Sequence, residues 1–229
     1  MGSEMCIRDS TNNGQRCVPI EIGTSYTHAD WRQEIVPFID FMRKYLLPDQ
    51  PEEIGYLGQH NLFAQIPAFG KEVRTPDCCF STPSETMPVS RAGLGVVPPV
   101  DEPQRNAWLG PKGTRTPLHT DPYHNIFCQV VGCKYVRLYP PEATEAVYPR
   151  GIDENGVNES NTSQVDFKLN LSAANNIVVE DEAHFPLFRR ETSYVEAIVG
   201  PGECLYIPAG WWHFVESTTT SFSVSFWWN

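Results

Sequence analysis

At 229 residues, with 41% apolar side chains, the chain is long enough for one large β-rich core or two small ones. Its formal net charge of −11 disfavours nonspecific binding to DNA or RNA, where cationic surface supplies the affinity, and favours basic partners such as Lys/Arg-rich proteins. No apolar run approaches the roughly 18 residues of a membrane span, so no membrane association is expected. No cationic start leads into an apolar stretch as a secretion signal would. The seven cysteines are odd in number and form no C-x-x-C, which predicts reduced thiols in an intracellular protein, nuclear, cytoplasmic or both. In that setting the sequons at Asn158, Asn161 and Asn170 are inert.

Residues 1–16 show no period and are expected to form a disordered or non-native segment. "CVPIEIG" alternates and predicts a strand ending at Gly23. "THADWRQEIVPFIDFMRKYLL" has Thr27 as a candidate cap and apolar residues at Trp31, Ile35, Phe38, Phe41 and Leu46. That spacing predicts a helix, kinked or broken at Pro37. "IGYLGQHNLFAQIPAF" predicts a strand followed by a short helix. Residues 71–104 are rich in Pro, Ser, Thr and Gly and read as a long loop. "NIFCQVVGCKYVRLYPP" carries a hairpin signal around Gly132. Residues 150–185 read as a second polar insert. "SYVEAIVGPGECLYIPAGWWHFVEST" and "SFSVSFWWN" then predict three or four strands with Gly/Pro turns.

"PLHTDPYHN" holds two potential metal ligands, His119 and Asp121, one residue apart. On a strand, residues i and i+2 share a face, so both could hold one metal. His213 in "PGECLYIPAGWWHFV" is the best third candidate. Two histidines and a carboxylate on one face, with open positions left, are the ligand set of non-haem Fe(II) oxygenases. A lone histidine among aromatics is, taken singly, more often a hydrogen-bonded structural residue. His28 sits at the expected helix start and His184 in the polar insert. His60 and His124 lie beside elements that need no ligand.

"NAWLGPKGTRTPLHTDPYHNIFCQVVGCKYVRLYPP" and "PGECLYIPAGWWHFV" resemble the two signature stretches of JmjC-domain oxygenases. That resemblance implies a mainly β fold with flanking helices, a double-stranded β-helix of the cupin-like jelly-roll type. It implies Fe(II) as cofactor, with 2-oxoglutarate and O2 as cosubstrates. It covers the chain from about Val18 to the end and reverses the structural reading of His213. "VPIEIG", "GYLGQHNLF", "NTSQVD" and "FSVSFWW" are similar to the arginyl-hydroxylase branch of the family. On this resemblance residues 17–229 would form the catalytic domain, lacking a stretch that precedes "VPIEIG" in the family.

By the same resemblance His119, Asp121 and His213 are the metal ligands and the catalytic set. Lys134 and Thr116 would hold the distal carboxylate of 2-oxoglutarate. Tyr56 and Asn125 match other cosubstrate contacts, and Trp108 and Trp227 match pocket aromatics. Glu21, Tyr26 and Gln59 match substrate-side positions. A plain reading of Lys134 is a solvated strand-edge lysine, and of Glu21 a surface strand residue. The implied activity is hydroxylation of a protein arginine side chain, with a basic or arginine-containing protein as partner. Two alternatives stand beside it: N-methyl-lysine demethylation of histones by the same iron chemistry, and an inactive cupin-type protein-binding module.

Overall fold

The computed structural model describes residues 12, 14–28, 30–82, 100–173, 176–190 and 193–229. In chain order the strands are β1 (Cys17–Ile22), β2 (Arg32–Pro37), β3 (Gly55–His60), β4 (Gln104–Gly110), β5 (Arg115–Thr120), β6 (His124–Val131) and β7 (Lys134–Tyr139). They continue with β8 (Phe167–Leu169), β9 (Ile177–Val179), β10 (Val195–Val199), β11 (Cys204–Ile207), β12 (Trp212–Ser217) and β13 (Ser221–Trp228). Two antiparallel sheets dominate. The larger has the order β11-β6-β13-β4-β3-β1-β2 and the smaller the order β10-β7-β12-β5.

From β4 onward the chain alternates between the two sheets: β4 and β6 in the larger, β5 and β7 in the smaller. It then runs β10 in the smaller, β11 in the larger, β12 in the smaller and β13 in the larger. This is the eight-strand jelly-roll arrangement, the double-stranded β-helix. β1, β2 and β3 extend the larger sheet beyond β4.

Strand alternation sorts the side chains into layers. On β13, Phe222, Val224, Phe226 and Trp228 pack outward with Val18, Ile20, Ile22, Phe41 and Tyr45. Ser223, Ser225 and Trp227 face the other way, where Ser223 donates to Gln129 and Ser225 accepts from Trp108. On β7, Val136 and Leu138 join Phe127, Val199, Ile207 and Val215 between the sheets, and Lys134 shares their face. Tyr135 and Tyr139 lie on the outer face with Phe167, Phe188, Trp212 and Phe214. Each large apolar side chain buried in this way contributes about 1.5–3 kcal/mol relative to exposure.

Several sequence expectations need correction. The helix expected from Thr27 is instead a turn followed by β2, which pairs with β1 from Cys17↔Pro37 to Ile22↔Arg32. Helix begins at Phe38 and continues as a π-type turn to Leu46, burying Phe38, Phe41 and Tyr45. Ile35, which fitted the helical spacing, is 78% exposed on β2. The hairpin around Gly132 does not form. β6 pairs with β11 and β13, whereas β7 pairs with β10 and β12, so the turn carries the chain from one sheet to the other. Gly132 is required there: φ is +70, and a Cβ would overlap the Thr220 carbonyl oxygen.

The second insert is part of the core. Val165, Phe167, Ile177 and Val179 are buried, and β8 pairs with β9. Of the first loop, residues 83–99 lie outside the described residues, and the described part includes a 3-10 turn at Asp77–Phe80. Most of the 1–16 segment also lies outside them. Its last residues join the fold, with Phe38 N–H donating to Arg16 O and Ile39 N–H to Gly14 O. Among the described residues, no helix is long and apolar enough to cross a membrane.

Candidate metal and cosubstrate site

β5 and β12 are neighbours in the smaller sheet, and their register sets His119 directly opposite His213. The imidazole centroids are 4.1 Å apart. Asp121 follows β5 by one residue, and its Oδ2 lies 3.7 Å from His119 Nε2 and 3.6 Å from His213 Nε2. The turn before β12 completes the arrangement. Trp211 N–H donates to Pro208 O, and Gly210 N–H donates to Asp121 O at 2.9 Å. On the other side, Thr120 N–H donates to Asn161 O, and a β-bridge joins His119 to Thr162.

The three side chains present one ligand atom each, all within 4.8 Å of one another. His119 Nδ1 lies 2.8 Å from Pro117 O, and His213 Nδ1 lies 3.1 Å from Trp211 O. A proton on each Nδ1 satisfies those carbonyls and leaves both Nε2 lone pairs facing Asp121. Burial opposes ionisation of Asp121, but the facing imidazoles outweigh it and hold the carboxyl well below the usual range. Burial also opposes charge on His119, yet Asp121 raises its pKa overall. Burial, reinforced by His119, lowers that of His213. The donor set, two nitrogens and a carboxylate with no fourth ligand among the described residues, fits a divalent transition metal with open positions.

A pocket opens from this cluster, lined by Tyr56, Trp108, Thr116, Asn125, Phe127, Lys134, Ile207, Val215 and Trp227 as well as the triad. Lys134 is 2% exposed, so the solvated-lysine reading does not hold. Its Nζ lies 3.3 Å from Tyr56 Oη and near the faces of Tyr56 and Phe127. No carboxylate pairs with it among the described residues, and burial alone pushes its pKa down to about 7. Tyr56 Oη is also bonded to Thr116, and burial raises the phenol's pKa. Asn125 Oδ1 and Trp227 Nε1 are buried without a hydrogen-bond partner. Polar atoms orphaned in this way are uncommon and here surround a cavity suited to a polar ligand. Trp108 differs: its indole N–H is used by Ser225.

The substrate-side candidates divide. Glu21 is half-buried on β1 opposite Tyr56 on β3. Burial raises its carboxyl pKa against the opposing effect of the Trp31 indole. Tyr26 has 36% of its surface exposed, is bonded to Thr162, and lies within electrostatic reach of both Asp121 and Glu21. Gln59 is exposed at the β3 bulge with φ of +45 and does not line the pocket. The remaining histidines have structural partners. His28 lies in a turn and joins Asp166 Oδ2 at 2.7 Å, His60 joins Gln65, and His124 joins the Tyr206 hydroxyl. His184 ends a 3-10 turn.

Residue-by-residue reading missed Phe127, Ile207 and Val215 as walls, and Asn161 and Thr162 as the clamp on β5. It also missed Tyr123, whose ring stacks on Trp227 at 5.5 Å. "NTSQVD" contains the clamp residues and was the one available signal for them.

Comparison with known proteins places this geometry. The family profile described as a cupin-like domain matches residues 5–229. The chain is 42% identical over 217 residues to lysine-specific demethylase 8 of Xenopus tropicalis, covering 94% of this chain and 42% of that protein. It is 39% identical over 219 residues to Jumonji C domain-containing protein 5 of Drosophila melanogaster, covering 94% and 47%. It is also 39% identical over 219 residues to JmjC domain-containing protein D of Dictyostelium discoideum, covering 92% and 44%. The chain thus spans less than half the length of each of these relatives. It belongs to the cupin-like domain family, and over most of its length it is similar to proteins named for a JmjC domain.

Proposed function

We propose that the chain is the catalytic part of an Fe(II)- and 2-oxoglutarate-dependent dioxygenase that hydroxylates an arginine side chain of a protein. The observation that carries this reading is the convergence of His119, Asp121 and His213 on one point beside a buried lysine with no carboxylate partner among the described residues. When bound, Fe(II) with 2-oxoglutarate and O2 supplies the oxidising power for C–H hydroxylation and yields succinate and CO2. The chain's own residues do the rest. The triad holds the metal, with both imidazoles oriented by their Nδ1 contacts. Lys134, with Thr116 and Tyr56, binds the distal carboxylate and keeps its proton against that charge. Trp227 offers its orphaned indole N–H to the same ligand, and Asn125 Oδ1, an acceptor, faces the pocket to receive a donor such as water. Trp108, Phe127, Ile207 and Val215 exclude water from it.

Glu21 and Tyr26 are the groups we assign to the substrate. Glu21 is a half-buried carboxylate whose raised pKa reflects burial, with no compensating cation among the described residues. An arginine guanidinium supplies that cation and can pair with the carboxylate through two parallel donors. The acidic chain as a whole attracts a basic protein substrate. Such a substrate is met inside the cell, in the nucleus, the cytoplasm or both. Gln59 stays a weaker substrate-side candidate because of its exposure.

A second reading rests on the similarity to the Xenopus relative named as a lysine-specific demethylase. The same metal site would then act on an N-methyl group. Succinate release by the metal-loaded chain, across peptides carrying arginine or methyl-lysine, separates the readings. Release with arginine peptides alone supports hydroxylation, and release with methyl-lysine peptides alone supports demethylation. A chain that binds metal yet releases no peptide-dependent succinate would be a binding module.

A further inference from the structure

We propose that Cys128 and Cys204 are a modification site: a dithiol that peroxide closes into a reversible disulfide, fastening β11 to β6. The two residues are register partners in the antiparallel β6–β11 ladder. Their Sγ atoms lie 2.9 Å apart as free thiols. Just beyond this ladder Gln129 N–H donates to Glu203 O and Gly202 N–H donates to Gln129 O, a bulge with Gly202 at φ of +84. The hydrogen bond thus falls at 129 and 203, which makes 128 and 204 the narrow, non-hydrogen-bonded pair beside it. Cα atoms of a narrow pair are about 4.5 Å apart with their side chains closest together. A disulfide spans roughly 4.4–6.8 Å between Cα atoms, so closure needs no slip in register.

The two sulfurs differ in access. Cys204 is exposed, at the start of the outermost strand of the larger sheet. Cys128 is half-buried, and burial pushes its thiol pKa up. Cys204 is therefore the group that meets the oxidant, and Cys128 the group that resolves it. The Cys204 thiolate attacks one oxygen of hydrogen peroxide. The O–O bond breaks, hydroxide leaves, and Cys204 becomes a sulfenic acid. The Cys128 sulfur then attacks the Cys204 sulfur. The S–O bond breaks, and the hydroxyl leaves as water with the Cys128 proton. In sum, two thiols and one peroxide give one disulfide and two waters, the thiols losing two electrons and the peroxide gaining them. A small thiol such as glutathione reopens the bond by exchange.

The position gives the bond a consequence. At the other end of the same ladder Ile207 pairs with Asn125, and both line the cosubstrate pocket. Closing 128 to 204 adds a covalent tie to an edge strand that main-chain hydrogen bonds, the Tyr206–His124 contact and the packing of Ile207 hold in place. Cys78 and Cys79 are the competing thiols, close enough to act electrostatically on Cys128.

The test is peptide mapping of the full chain after brief exposure to hydrogen peroxide, with a metal chelator present to exclude iron-derived radicals. Free thiols are then alkylated and the protein is digested without reductant. The expected product is a cross-linked peptide joining Cys128 to Cys204, lighter by two hydrogens than the separate peptides and lost on reduction. Cys204→Ser should abolish it. Cys128→Val should leave Cys204 as a sulfenic acid that dimedone captures. Full alkylation of both thiols after peroxide, or linkage of Cys128 to Cys78 or Cys79, would overturn the proposal.

Discussion

The Gly210 amide donates to the Asp121 main-chain carbonyl at 2.9 Å, tying the turn before β12 to the residue that follows β5. Asp121 lies outside the β5 ladder, so this contact helps set where its carboxylate stands relative to His119 and His213. Gly210 has φ of +80. An alanine there takes on left-handed strain of about 1–3 kcal/mol. Gly210→Ala is expected to lower the denaturant midpoint accordingly and to weaken metal binding. Unchanged stability and unchanged metal affinity would show that the turn is not held in this conformation.

Asp121→Ala should remove one of three ligands and leave two imidazoles facing one another. The loss of metal affinity should exceed the roughly 10–100-fold typical of losing an outer partner of a ligand. His119→Ala should behave alike. Titration of both variants with Fe(II) under anaerobic conditions reads this directly, and full occupancy in D121A would defeat the triad assignment.

Lys134→Ala removes the one lysine or arginine that lines the pocket among the described residues. Truncating one partner of a buried charge pair costs about 2–5 kcal/mol. The KM for 2-oxoglutarate should rise at least about tenfold, with metal binding mostly intact. An unchanged KM would remove Lys134 from cosubstrate recognition.

The lowered pKa of Lys134 makes a pH prediction with a definite sign. In the unliganded chain the group loses its proton near pH 7, whereas an unfolded lysine keeps it to about 10.5. Between those values the unfolded state binds more protons, so the group makes unliganded stability rise with pH. A bound carboxylate restores the charge, so binding at pH 8 to 9 should take up a proton, and affinity should fall as pH rises through that range. Calorimetry of the metal-loaded chain, in buffers of different ionisation enthalpy, measures the uptake. Heats independent of buffer would contradict it.

The jelly-roll class was legible in the sequence, and so were the residues that converge at the candidate site; individual elements were less so. His119, Asp121, His213 and Lys134 sit in two short motifs whose spacing survives any loop length between them. Thr116, Asn125 and Trp227 came with those motifs by resemblance. The region around Trp31, Ile35 and Phe38 misled because its spacing fits a helix, and only its pairing with the preceding strand β1 decides for a strand. At Gly132 the local turn signal is correct, but nothing local says that β6 and β7 go to different sheets. The 150–185 insert hides its core residues, Val165, Phe167, Ile177 and Val179, among polar neighbours with no period. Gln59, a match by position, is exposed at the β3 bulge and is not among the residues lining the cosubstrate pocket.

Mass spectrometry of a basic protein or peptide substrate after turnover bears most directly on arginine hydroxylation. The substrate should gain the mass of one oxygen atom, localised by fragmentation to an arginine side-chain carbon, with succinate in equal amount. Glu21→Gln should reduce that product while leaving metal occupancy unchanged. Loss of methyl groups from methyl-lysine, with formaldehyde released and arginine unmodified, would contradict the account.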